Sequence, residues 1–228
     1  MTDPRLERLA DILLGHSTRV GPGDKVLIEC FDLPEPTLPC VLIRKAVERG
    51  ALPLVSVKSN RILRELYRTG VAEQLQIIGQ IERGRMEQVQ AYIGIRGTDN
   101  SSEMSDVPAD KMDLYKTHIW QPVHLDIRVR KTKWVVLRYP TPSMAQLAGM
   151  STAGFEDYYF RVCTVDYVAM AKAQEPLEQL MSRTDRVKIM GPGTDLEFSI
   201  RGMNVRPCNG ERNIPDGEVF TAPVRDSI

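Results

Sequence analysis

Four short apolar segments recur through the N-terminal part of the chain, and helical patterns separate each one from the next. The segments are Lys25–Cys30, Leu52–Val57, Ala91–Arg96 and Trp134–Tyr139. Short apolar runs of this kind are typical of buried strands, and strands joined through a helix run parallel in one sheet. We therefore predict an α/β fold, a parallel sheet flanked by helices with right-handed crossovers. This first unit is expected to cover residues 1–150.

Apolar residues at helical spacing predict the helices between these strands. The predicted helices cover residues 3–14, 36–48, a segment around 62–67 that ends at Gly70, 73–88, and 108–128. Thr2 or Asp3 can cap the first helix, and Gly50 suits the end of the second. The last of these helices is expected to be interrupted or bent near Pro122, since a proline inside a helix breaks or kinks it.

The pattern changes after residue 150. Residues 155–183 predict a long helical stretch in which Pro176 begins a second piece. Val187–Met190 and Leu196–Ile200 flank Gly191–Asp195, which is typical of a β-hairpin. We expect residues 151–228 to begin a second domain of α+β type. Its last strand follows without a closing partner, so this domain is expected to be truncated.

The composition excludes several function classes. The chain has 30 basic and 30 acidic side chains, and this balance gives no support to nucleic acid or an anionic membrane as partner. No apolar run approaches the ~20 residues of a membrane-spanning helix, and the N terminus has no signal-peptide pattern. The four cysteines, which are Cys30, Cys40, Cys163 and Cys208, form no C-x-x-C pair. Such scattered cysteines indicate a cytoplasmic protein with reduced thiols and do not favour a zinc-thiolate site.

Several further polar residues are best interpreted as structural. His118 and His124 are six residues apart, which is not the i, i+4 spacing of a helical metal pair, and His16 suits a helix end. Asp99 and Asn100 follow the third strand, at the edge where open α/β sheets bind ligands, but they are also common turn formers, and the turn role is favoured. No G-x-G-x-x-G follows the first strand, so a nucleotide-dependent enzyme is poorly supported.

The stretch Asn213–Pro223 contains a turn, one carboxylate and the start of a strand. Pro215 and Gly217 are typical turn residues, and Val219-Phe220 has strand character. The turn fixes the chain position of Glu218. A carboxylate placed in this way is either a metal ligand or a polar residue where a hairpin leaves its sheet, and the residues alone favour the structural role.

Four segments carry a resemblance to a known family. They are Lys133–Pro142, Met144–Ser151, Gly193–Ile200 and Arg212–Pro223. They closely resemble the thermophilic-type metallo-aminopeptidases, which include aminopeptidases T, S and II, and the likeness runs over the whole chain. The resemblance implies a Rossmann-like N-terminal unit, followed over residues 151–228 by the beginning of the metal-binding catalytic domain. It also implies a two-metal centre, peptide substrates and a homodimer. The glutamate of the family's Gly-Glu-Val-Phe motif is its first metal ligand, and that residue corresponds to Glu218.

The resemblance therefore implies an enzyme that removes N-terminal residues from peptides with two divalent ions, which are zinc, cobalt or magnesium. The family's other ligands, a further Glu, two His, a Tyr and an Asp, lie beyond this motif, whereas the three histidines of this sequence precede it. We expect the chain as given to lack most metal ligands and to be inactive or nearly so, and its catalytic residues stay unassigned. The alternatives are a non-catalytic binding or oligomerisation module with this fold, and an α/β protein that binds a nucleotide or metabolite near Asp99.

Overall fold

A five-stranded sheet forms the centre of the computed structural model, which describes residues 3–227. Its strands are β1 Lys25–Phe31, β2 Leu52–Lys58, β3 Ala91–Arg96, β4 Lys133–Arg138 and the two-residue β8 Asn213–Ile214. The strand order is β2-β1-β3-β4-β8, and every neighbouring pair is parallel. Five consecutive residues are buried in β1 and in β3, which requires cover on both faces of the sheet. The predicted α/β fold is confirmed.

A helix precedes the first strand, and further helices follow each of β1 to β4. They are α1 Pro4–Asp11, α2 Thr37–Glu48, α3 Asn60–Thr69, α4 Ala72–Glu87, α5 Ala109–Tyr115 and α6 Pro142–Leu147. The carboxylate of Asp3 caps α1, because it accepts a hydrogen bond of 2.8 Å from the backbone N–H of Arg5. Thr2, the other predicted cap, lies outside the described residues. The helices predicted before residue 130 are all present, with shifts of a few residues at their ends.

Two of these helices continue as π-helices. α1 is followed by the π-helix Ile12–Ser17, and α5 by the π-helix Lys116–Val129, which contains Pro122. The helix predicted over residues 108–128 is therefore present, but it widens instead of remaining α-helical. Proline has no N–H and its ring clashes with the carbonyl four residues earlier in an α-helix, so the wider winding accommodates Pro122.

α4 packs closely against the π-helix Lys116–Val129. Gly79 of α4 is buried, and a Cβ atom at this position would overlap the carbonyl oxygen of His118. The two backbones approach each other at this point because glycine has no side chain. Leu75, one helical turn earlier in α4, belongs to the same apolar cluster as Ile119.

The chain divides into two compact units. The first unit comprises the chain through Thr164 together with Glu211–Ile214, and the second comprises Val165–Gly210 together with the chain from Pro215 onward. A short strand near the end of the sequence, β8, thus completes the sheet of the first unit. Two-residue strands show too little alternation for a sequence pattern to reveal them.

The long helical stretch predicted over residues 155–183 is two helices, α7 Thr152–Cys163 and α8 Tyr167–Arg183. The predicted break at Pro176 is wrong, since this residue lies inside α8. The new helix begins instead after Asp166, whose carboxylate accepts a hydrogen bond of 2.9 Å from the N–H of Ala169. This N-cap decides the boundary.

Two small antiparallel pairs complete the second unit. The predicted hairpin is confirmed as β5 Arg186–Gly191 and β6 Thr194–Ser199. β7 Arg206–Pro207 pairs with β9 Val219–Phe220, so the expectation that the last strand lacks a partner is wrong. Across residues 3–227, no helix combines the length and the apolar character needed to cross a membrane.

Candidate metal centre

The pairing of β7 with β9 brings Cys208 opposite Glu218. Pro207 lies beside Val219 in the register of the two strands. The ladder continues by one further hydrogen bond of 2.8 Å, which the N–H of Cys208 donates to the carbonyl oxygen of Glu218. Two residues that are distant in sequence thereby become cross-strand neighbours.

Asp216 reaches the same place through a separate hydrogen bond. Its carboxylate accepts a bond of 2.9 Å from the N–H of Gly210, the second residue after Cys208. Gly210 has a φ of 86°, and a Cβ atom there would lie 2.7 Å from the ring of Tyr167. The position therefore requires glycine for both its backbone conformation and its contact with α8. The backbone conformation of Gly210 directs its N–H toward the carboxylate of Asp216.

One ligand atom from each of Cys208, Asp216 and Glu218 lies within 4.8 Å of the other two. Cys208 and Asp216 are half-buried, whereas Glu218 is exposed. Within residues 3–227, no second group of three or more His, Cys, Asp or Glu side chains converges in this way. We call these three residues the acidic triad.

The acidic triad concentrates negative charge. Burial is the main cause that raises the pKa of Asp216, the nearby Glu218 raises it further, and the N–H of Gly210 opposes the shift. No Lys or Arg of the described chain forms an ion pair with either carboxylate. A divalent cation would relieve the mutual repulsion of these two carboxylates.

Gln174 of α8 forms hydrogen bonds with the backbone of both Cys208 and Glu218. Its side-chain Nε2 donates to the carbonyl oxygens of Cys208, at 2.8 Å, and of Glu218, at 3.2 Å. The side chain is buried, and its Oε1 has no hydrogen-bond partner in the structure. The backbone positions of two triad members are thus fixed from one helix, independently of the β7–β9 ladder.

The acidic triad fits a single divalent ion. Bonds of ~2.0–2.3 Å to zinc place neighbouring ligand atoms about 3.3–3.8 Å apart, and the three ligand atoms already lie within 4.8 Å of one another. A thiolate among the ligands favours zinc or cobalt over magnesium, which prefers oxygen. The residues present therefore suit one such ion.

The other sequence candidates lie elsewhere. His16 is in the π-helix that follows α1, while His118 and His124 are in the π-helix Lys116–Val129; none of them belongs to the acidic triad. Asn100 is a turn former, as favoured from the sequence, because its Oδ1 accepts a hydrogen bond from the N–H of Ser102.

The family resemblance points to Glu218, whereas nothing in the sequence points to Cys208 and Asp216 as its neighbours. The pattern around Asp216 indicates only a turn, and Cys208 has no close cysteine partner in sequence that would suggest a ligand. The proximity of Cys208 to Glu218 comes from the pairing of two-residue strands, for which the sequence has no periodic signal. The Gly210–Asp216 hydrogen bond is equally invisible in the sequence.

Comparison with solved structures shows related folds. AmpT from Thermus thermophilus (wild type) superposes with a TM-score of 0.78 at 20% identity, over 98% of this chain and 62% of that chain. 2,5-Dihydroxypyridine dioxygenase from Pseudomonas putida KT2440 gives a TM-score of 0.52 at 11% identity, over 99% of this chain and 58% of that one. The chain thus spans about three fifths of each of these proteins. Since one of them is named a dioxygenase, the shared fold alone does not define a reaction.

Sequence comparison is more specific. No curated protein sequence matches the chain. The family model described as thermophilic metalloprotease (M29) matches residues 2–228, which is almost the whole sequence and includes the acidic triad. The chain therefore belongs to the thermophilic metalloprotease family M29.

Proposed function

We propose that the protein is a metal-dependent aminopeptidase, which removes N-terminal residues from peptides, and that Glu218 is one of its metal ligands. The observation that carries this proposal is the convergence of Glu218 with Asp216 and Cys208 in a chain that matches a metalloprotease family along its length. The resemblance of the Gly-Glu-Val-Phe motif, here Gly217–Phe220, supports the choice of Glu218. The proposal includes a second ion, as the resemblance implies, and a homodimer in the cytoplasm. The four cysteines support this location, since none of them forms a disulfide.

Each residue of the acidic triad has a role in this proposal. The carboxylate of Glu218 is exposed, so it can hold an ion that a substrate also reaches. The carboxylate of Asp216 is held by the N–H of Gly210. Cys208 would supply a thiolate ligand, and Gln174 fixes the backbone of Cys208 and of Glu218. A bound divalent ion would supply Lewis-acid polarisation of the scissile carbonyl and a more acidic water molecule. The residues themselves supply the fixed geometry on which such catalysis depends.

A titration of the full chain with zinc or cobalt tests the ligand assignment. We expect calorimetry to show saturable binding that Glu218→Gln, Asp216→Asn and Cys208→Ser each weaken at least about tenfold. Cobalt adds a second readout, because ligation by Cys208 produces a thiolate charge-transfer absorption band that Cys208→Ser removes. Glu197→Gln is the matched control, since Glu197 is an exposed glutamate of β6 outside the triad. Wild-type affinity in Glu218→Gln would show that the assignment is wrong.

Peptidase activity is a separate question from metal binding. Incubation with zinc or cobalt and a leucyl chromogenic substrate measures it directly. Metal-dependent turnover that is lost in Glu218→Gln would support the aminopeptidase and contradict the expectation that this chain is inactive. Metal binding without turnover would agree with the expectation that this chain lacks most metal ligands, and it would fit an incomplete enzyme and a non-catalytic module equally.

A further inference from the structure

A cavity of about 290 Å³ opens at the carboxyl edge of the sheet in the first unit. The last residue of each of the four long strands lines it; these residues are Phe31, Lys58, Arg96 and Arg138. In the sheet, β2 lies on one side of β1, whereas β3 and then β4 lie on the other side. The direction in which successive strands are added therefore reverses between β1 and β3. Open parallel sheets bind ligands at such a reversal point, beyond the carboxyl ends of the strands. We call this space the sheet-edge cavity.

Two of the cationic side chains in or near the sheet-edge cavity, Lys58 and Arg85, already form ion pairs with carboxylates. Glu29 of β1 is 1% exposed and lies 2.7 Å from Lys58, measured from Oε1 to Nζ. Lys58 also pairs with Glu82 at 3.1 Å, and Arg85 pairs with the same two carboxylates. Two cations and two carboxylates therefore neutralise one another, and the buried Glu29 is among them.

Three further guanidinium groups line the cavity, and no carboxylate of the described residues pairs with them. Arg96 and Arg138 are register partners on the neighbouring strands β3 and β4, and in the described chain neither forms an ion pair with a carboxylate. Like charges on adjacent strands repel each other. The third is Arg128 of the π-helix, which likewise has no carboxylate partner among the described residues. An anion between these three groups would relieve the repulsion.

Arg128 adds a hydrogen-bond donor that the protein leaves unused. Its Nη1 is buried and has no hydrogen-bond partner, and such a donor is costly unless a ligand or water satisfies it. Its Nε donates to Nδ1 of His124 at 3.3 Å, and its guanidinium lies 4.6 Å from the ring of Trp134 and 5.3 Å from that of Tyr92. These contacts hold the side chain in place before any ligand arrives.

The remaining wall of the cavity is largely apolar. It includes Tyr115, Trp120, Met112 and Ile119, while Glu82 is the one acidic residue among the described lining residues and is already paired. A cavity lined by cationic donors and by aromatic and aliphatic side chains suits a small ligand that has both an anionic group and an apolar part. Its volume limits the ligand to a small molecule.

We propose that the sheet-edge cavity binds a small organic anion, whose carboxylate or phosphate group is held by Arg96, Arg128 and Arg138 and whose apolar body packs against Tyr115 and Trp120. This site is separate from the acidic triad in sequence and in chemistry, because it offers cationic donors where the triad offers anionic ligands. It does not depend on peptidase activity.

Calorimetric titration of the full chain with three probes tests the proposal. The probes are 3-phenylpropanoate, phenyl phosphate and the neutral 3-phenylpropanamide, at an ionic strength of ~0.15 M so that diffuse electrostatic attraction is screened. We expect saturable binding of at least one anion, at least about tenfold tighter than the amide. The tighter anion identifies whether the natural ligand carries a carboxylate or a phosphate group.

Arginine substitutions then test the location. Arg96→Gln and Arg138→Gln should each weaken anion binding about tenfold or more, since each removes a charged hydrogen-bond donor. Both residues are exposed at strand ends, so the variants are expected to fold. Arg161→Gln is the matched control, because Arg161 is exposed on α7 outside the cavity. The proposal is overturned if neither anion binds saturably, or if Arg96→Gln and Arg138→Gln bind like the wild type.

Discussion

Glu29 shows how the first unit accommodates a buried charged side chain. Glu29 lies inside an otherwise apolar strand, where the hydroxyl of Tyr92 donates to its Oε2 at 2.7 Å and Lys58 neutralises it. The sequence shows a glutamate within a strand pattern, but it cannot show these partners, because they come from two other strands. Burial without a partner is expensive for a charged group, so such residues depend on tertiary contacts that no local pattern encodes.

His124 should make the protein sensitive to mild acid. Burial, aided by Arg128, lowers its pKa from 6.5 to about 4, while Glu29 and Glu82 oppose the shift and Lys58 adds to it. Between these two pH values the unfolded chain binds a proton that the native protein excludes, so stability falls as the pH drops from 6.5 toward 4 and is unaffected above this range. We expect this residue to account for about 2 kcal/mol of lost unfolding free energy between pH 7.5 and pH 5.

Urea unfolding at both pH values measures this effect. His124→Gln should lose about 2 kcal/mol less than the wild type on acidification, whereas His118→Gln retains His124 and should behave like the wild type. An equal loss in His124→Gln and the wild type would contradict the assignment.

Elements are predicted well from the sequence where their pattern is long and poorly where it is short. β1 to β4 could be located to within a residue or two, because an apolar run between two helical patterns seldom forms anything but a strand. The π-helical winding around Pro122 and the two-residue strands could not, since the first depends on packing and the second on pairing. The boundary before α8 escapes prediction because Asp166, a capping residue, outweighs the more conspicuous Pro176.

The contact of α4 with the π-helix Lys116–Val129 predicts opposite effects for two glycines of one helix. Gly79→Ala should destabilise the protein by about 1–3 kcal/mol, because its methyl group would overlap the backbone at His118. Gly84 is exposed and has no atom within 4 Å of a built Cβ, so Gly84→Ala should stabilise by about 0.5–1 kcal/mol through helix propensity. Denaturant unfolding of both variants provides the comparison. Similar effects in the two variants would exclude the close approach at Gly79.

At the scale of the whole molecule, the sequence locates the sheet and one triad residue but not the other two. The sheet follows from an alternation that extends over much of the chain. Cys208 and Asp216 join Glu218 only through the register of β7 with β9 and the N–H of Gly210. A site assembled from short irregular segments therefore needs the three-dimensional structure, even where its family resemblance is visible in the sequence.

We propose that the protein forms a homodimer along β2, one of the two edge strands of the sheet. Apolar side chains along this strand are exposed, with Val57 80% and Leu52 54% accessible. An edge strand also leaves backbone groups available for pairing. Val57→Glu should shift the protein from dimer to monomer in sedimentation velocity at micromolar concentration, because a charge blocks edge pairing. Val168→Glu, on α8 and similarly exposed at 60%, is the control. Dissociation by the control and not by Val57→Glu would place the interface elsewhere.

The late position of β8 has a consequence for synthesis. Protein synthesis proceeds from the N terminus, so β1 to β4 leave the ribosome first. They can pair while residues 139–212 are still being made. Val136 and Leu137 of β4 then lack their strand partners until Asn213 and Ile214 have been synthesised. The segment that closes this edge is flanked in the chain by Cys208 on one side and by Asp216 and Glu218 on the other. Completion of the first sheet and assembly of the acidic triad therefore both require the same late stretch of the chain, residues 208–218.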